Sequence, residues 1–147
     1  VRGMEMVEAV SAERAMGFVL DALVPARLAA NQGDARLASG IADALAFAAE
    51  RPDVYTDFTG ADGQRSAEQA VLLEVSVRVQ LAPNRARDPA HTARVAARDL
   101  PELWRRALDG SAPFTLVDAA ASALTALRPS IGATDGPRRS RIRPASC

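Results

Sequence analysis

TARVAARDLPELWRRALDGSAPFTLVDAAASALTAL, residues 92–127, is the stretch whose reading decides the fold. Asp99-Leu100-Pro101 predicts a helix start: an acid placed to accept from the first free amides, then a proline just inside. Leu103, Trp104, Ala107 and Leu108 follow at helical spacing. Asp109-Gly110 predicts the stop, glycine supplying the left-handed residue that such an end needs. Thr115-Leu116-Val117-Asp118 then opens another helix. Thr115 is its expected cap, and Asp118 sits near the positive end of its dipole. Val117, Ala121, Leu124 and Leu127 form its apolar stripe, and Pro129 is expected to stop it at Arg128. Trp104 is expected to pack beside Leu103 and Leu108 against this last helix.

The same residues carry a family resemblance. The run Leu100-Pro101-Glu102-Leu103-Trp104, then Ala107-Leu108-Asp109-Gly110, then Phe114-Thr115 before an alanine-rich helix, resembles the domain of unknown function 222. Phe47-Ala48-Ala49-Glu50 and the apolar run from Ala70 to Leu81 add to it. The resemblance spans about residues 30–128. It implies the helical region that precedes an HNH nuclease domain in many proteins of high-GC bacteria. It therefore implies an accessory role in a nucleic-acid setting. One departure is local: the family often has histidine in the first turn of the last helix, where Asp118 stands, after Ala112-Pro113.

Upstream, the spacing predicts further helices. Residues 1–32 read as one, with Ser11 as a cap and Met16, Val19, Leu20 and Leu23 as its stripe. Pro25 is expected to end or kink it, and Asn31-Gln32-Gly33 to form a turn. Asp34 caps the next helix, whose inner face holds Leu37, Ile41, Leu45 and Ala48, and Pro52 ends it. Residues 52–65 read as a loop pinned to the core by Tyr55 and Phe58. Ser66-Ala67-Glu68-Gln69 is a capping box, which predicts a helix from Ala67 toward Leu81. Val75, Val77, Val79 and Leu81 alternate as a strand would; the box and the alanine-rich surroundings favour helix. Asp88-Pro89 restarts a helix, with Val95, Ala96 and Leu100 facing inward.

The expected fold class is all-α: a small bundle of five or six helices over residues 1–128, followed by a disordered basic tail, 129–147. That tail, PSIGATDGPRRSRIRPASC, buries too little apolar area to offset its ordering entropy. Its abrupt change of composition suggests a truncated or out-of-frame end.

A chain of 147 residues is one domain with a real core. It is 48% hydrophobic but only 4% aromatic, so the core must be alanine, leucine and valine. Lysine is absent and all 18 basic residues are arginine. Net charge is zero, yet residues 1–83 hold seven arginines against twelve acids, while 84–109 hold six against four. A single cysteine, Cys147, excludes an intramolecular disulfide. No apolar run approaches membrane-span length and no signal pattern opens the chain, so the expected location is the cytoplasm.

Catalytic chemistry finds little purchase. HNH catalysis needs several histidines, and His91 stands alone with no paired cysteines, so neither a catalytic residue nor a metal cage is assigned. Gly60 and Gly63 lack a phosphate loop's context, and the loop acids Asp53, Asp57 and Asp62 read as solvated. No cofactor or small-molecule ligand is expected. For nucleic acid, residues 67–99 read as helix, break, helix. With a small bend at Pro101, Arg94, Arg98 and Arg105 fall along one side, with Arg85 in the break, and these four are the candidate phosphate contacts. Asp88, Asp99, Glu102 and Asp109 interleave, which favours a solvated mixed face. The break from Ala82 to Asp88 is also long for a helix-turn-helix. The expected function is a non-catalytic helical accessory domain, with DNA as one partner class. The alternatives are a fragment of an HNH nuclease and a plain interaction module that self-associates through Ala/Leu helix faces.

Overall fold

The computed structural model describes residues 2–132, with side chains from 10 to 127. Five α-helices and one short 3-10 turn account for the order: α1 Arg2–Glu50, the turn Pro52–Val54, α2 Gly60–Val79, α3 Pro83–Asp99, α4 Pro101–Leu108 and α5 Phe114–Gly132. There is no strand among the described residues, so the all-α bundle holds. None of the helices is long and apolar enough to cross a membrane.

The second half of α1 is the central post. Asn31, Ala35, Ala38, Ile41, Ala42, Leu45 and Ala48 are buried, spaced so that one face meets α2, α3 and α4. Leu37, expected on that face, is exposed. Twelve of the nineteen buried apolar residues are alanine, and the largest wholly buried side chains are only Leu72 and Val117. Alanine on both sides of a contact brings helix backbones close, so stability comes from many short contacts that each bury little area. Trp104 is the one large exception. It is buried and meets the Phe114 ring edge-on at 6.5 Å, tying α4 to the start of α5 as expected.

The first predicted helix, turn and second helix are instead one helix of 49 residues. Pro25 lies inside it. Proline removes one backbone donor, leaving the Asp21 carbonyl for water; Pro25 is itself exposed, so that exchange is possible. Asn31 does not turn the chain. Its side chain is buried and donates to the Gly110 carbonyl at 3.0 Å, a tertiary use of an amide that local pattern assigns to a turn. Gly110 ends α4 with φ +87°, as its position after Asp109 predicts. A Cβ there would also stand 2.5 Å from the Leu28 carbonyl. The glycine therefore serves both the left-handed turn and the close passage of α1.

Other boundaries move for similar reasons. α2 starts at Gly60 with Thr59 preceding it, and no side chain caps it. Ser66 is therefore in the helix, not at its mouth. In these extra turns Gly63 is buried against the Phe58 backbone, where any side chain would collide. Tyr55 packs on the core, but Phe58 is exposed. The valine alternation resolves as helix, since Ala67, Val71 and Leu72 anchor α2 inward while Val77 faces water. Gln80, left-handed at φ 56°, terminates it, and the Ser76 hydroxyl donates to the Leu81 carbonyl.

α3 begins at Pro83, not at Asp88-Pro89, so Pro83 takes the first-turn role and Pro89 lies inside the helix. Pro101 likewise opens α4, but the residue before it, Leu100, occupies the cap position and Asp99 still belongs to α3. Leu100 is non-helical at φ −133°, ψ 49°, which gives the expected break between α3 and α4. α5 starts one residue before Thr115 and passes Pro129 to reach Gly132. Of its stripe Val117 and Ala121 are buried, while Leu127 is exposed. The tail from residue 133 lies outside the described residues.

Two substitutions test the α1–α4 junction. Asn31→Ala should lower unfolding free energy by about 1–2 kcal/mol, by leaving the Gly110 carbonyl without its donor. Gly110→Ala should cost about 1–3 kcal/mol from the backbone conformation alone, and more from the collision with α1. Urea denaturation of both, and of the double variant, should show a cost smaller than the sum, because the two share one contact.

Candidate nucleic-acid interface

Only three residues, Gln80 to Ala82, separate α2 from α3. The long break expected between Ala82 and Asp88 is the first two turns of α3. The pair is thus a helix, a three-residue connection and a second helix. Ala86, Ala90, Thr92, Ala93, Val95 and Ala96 bury the inner side of α3. Its outer side carries Arg87, His91, Arg94 and Arg98, all exposed, at steps of four, three and four. One basic line therefore runs along three turns of the second helix.

Two of the four arginines chosen from sequence belong to this line, Arg94 and Arg98. Arg98 spends its charge partly on its neighbour, since its guanidinium lies 3.0 Å from Asp99 and the pairing raises its already high pKa. Arg85 is elsewhere. It lies in the first turn of α3, beside a groove lined by Leu81, Phe114, Thr115 and Asp118. Arg105 is on α4, beyond the Leu100 break, held by Glu102 at 2.6 Å and Asp109 at 3.5 Å. Arg105 in turn holds Glu102 below the ordinary carboxylate range. Hydrogen bonds from Ser111, helped by the charge of Arg105, do the same for Asp109.

Arg87 was not a candidate. It is seven residues before Arg94 and so faces the same way, but the signal needs a helix that starts at Pro83. Neither Arg87 nor Arg94 forms an ion pair among the described residues. Both line an open groove of about 550 Å³ between α2, α3 and α5. Glu68, Asp88, His91 and Asp118 line it too, so the floor is of mixed sign. Asp118 is partly engaged, accepting from the buried Thr92 hydroxyl at 2.6 Å. That bond fixes α3 against α5 and so sets which way the basic line faces. No group of three His, Cys, Asp or Glu is placed to hold a metal among the described residues.

No family model matches the chain, and neither a curated protein nor a solved structure does. The likeness to the domain of unknown function 222 rests on the residues quoted for it.

The Thr92–Asp118 bond has an asymmetric cost. Thr92→Val removes both hydroxyl and bond, leaving an exposed carboxylate to water, and should cost about 0.5–1.5 kcal/mol. Asp118→Ala strands a buried hydroxyl and should cost about 1–3 kcal/mol. Thermal unfolding of the two variants side by side tests that order. The exposed turn at Asp109 should respond to acid: a depressed folded pKa makes its contribution complete at neutral pH and lost as pH falls below the ordinary aspartate range. Asp109→Asn should remove that part of the acid response.

Proposed function

We propose that this chain is a non-catalytic helical accessory module that meets the DNA backbone through the outer face of α3. The observation that carries the reading is the line Arg87, His91, Arg94 and Arg98 on the second helix of a tightly turned pair. A guanidinium at each end and one between offers phosphate contacts along one helix face. The resemblance to the domain of unknown function 222 supports the same setting, because in those proteins the chemistry belongs to a separate HNH nuclease domain. Asp88, Glu68 and Asp118 at the rim of the line oppose an anion, so the contact is weak and backbone-directed, with no base-reading side chain assigned. A second reading, a protein-interaction module, is favoured by a different surface. The first half of α1 leaves Met16, Phe18, Val19, Leu20 and Leu23 more than half exposed.

Salt dependence decides between them. Arg87 and Arg94 are free to displace two counterions, so duplex binding should weaken roughly 12- to 16-fold between about 50 and 200 mM salt. Arg87→Ala with Arg94→Ala should flatten that dependence, whereas Arg85→Ala and Arg105→Ala should leave it nearly unchanged. Duplex binding that is undetectable at low salt, or indifferent to salt, removes the DNA reading.

A further inference from the structure

The first half of α1 reaches beyond the bundle, which it meets where the Leu28 backbone passes Gly110: from Val10 to Ala30 every residue is exposed except half-buried Gly17. Within it Ala12, Met16, Val19, Leu23, Ala26 and Ala30 recur at four, three, four, three and four. That is the spacing of a two-stranded coiled-coil seam, and none of the described residues packs on it. The helix turns its other features away. Arg14, Phe18, Asp21 and Pro25 fall on the far side, so the proline does not obstruct the seam.

We infer that a second copy of this chain covers this seam, its α1 running antiparallel about a two-fold axis near Leu20 and Ala22. The residues bordering the seam select both occupant and direction. Glu13, Leu20 and Arg27 flank one edge at intervals of seven; Ala15, Ala22 and Ala29 flank the other. In the antiparallel register Val19 lies opposite Leu23, Met16 opposite Ala26 and Ala12 opposite Ala30, so the large side chains gather in the middle layers. The same register puts Glu13 of each copy opposite Arg27 of the other and Leu20 opposite Leu20. On the other edge Ala15 meets Ala29, and Ala22 meets itself, which lets the two helices approach closely. A parallel pair would place Arg27 against Ala22 and give Glu13 no basic partner. Each helix thus carries the complement of its own charge pattern in reverse, the property that an isologous interface requires. The exposed ion pairs add little strength but set the direction. This inference uses no residue of α3 and stands apart from the DNA reading.

The full chain should sediment as a reversible dimer at micromolar concentrations, as befits a short seam. Val19→Asp with Leu23→Asp should give a monomer whose bundle still melts cooperatively. Glu13→Arg alone and Arg27→Glu alone should each weaken the dimer roughly five-fold or more, by setting like charges opposite. The double variant should recover it. With Cys147→Ala as background, Ala22→Cys should oxidise readily to a covalent dimer and Met16→Cys should not. A chain that is monomeric at about 100 µM overturns the inference. So do a double charge swap without recovery and cross-linking at position 16 equal to that at 22, which would show a parallel pair.

Discussion

Everything in the bundle depends on how closely α1 can approach the end of α4. At Gly110 the backbone of one helix end lies against the Leu28 carbonyl of another helix, with no space for a Cβ. Asn31, three residues along α1, then donates to the Gly110 carbonyl. A steric requirement and a hydrogen bond thus meet at one residue. The alanine face from Ala35 to Ala48 continues the same short distance down the post. Helices that touch through methyl groups leave little space for larger side chains, so the core packs with almost no aromatic content.

That packing also explains why α3 can present a charged face. Its inner side is spent on alanine contacts with α1 and on the Thr92–Asp118 bond to α5. Burying this side of α3 leaves the opposite side to water, and Arg87, His91, Arg94 and Arg98 lie along it. The distribution of charge between Arg87 and Arg94 on one hand, and Arg98 and Arg105 on the other, follows from neighbours. Among the described residues the first two form no ion pair, while Asp99, Glu102 and Asp109 take up the second two.

The two surfaces with a role to propose differ in kind. One is polar, built from a helix held on three sides. The other is apolar, on the half of α1 that reaches beyond the bundle. An apolar helix face in water is a standing cost that burial against a partner relieves. A self-complementary charge pattern along its border identifies that partner as another copy. A basic line of mixed surroundings has no such cost and needs only phosphate to be useful.

Much was legible from residues alone. The three-and-four spacing of apolar residues, the left-handed stop at Gly110, the Trp104 contact with the last helix and the all-α class are local patterns, and local patterns act before any tertiary contact forms. Prolines and polar caps misled at Pro25, Asn31, Ser66 and Pro89. Each has two physical uses, and short-range pattern reports only one. Whether Asn31 turns the chain or bonds to Gly110 depends on a residue 79 positions away. Whether Arg87 joins Arg94 depends on where α3 starts, and that was set by Pro83 and by burial of Ala86. The sequence by itself determined which segments are helices and which faces are apolar, because these follow from spacing. Only the tertiary structure decided which apolar face is covered and which arginine is free, because burial and ion pairing depend on what lies opposite.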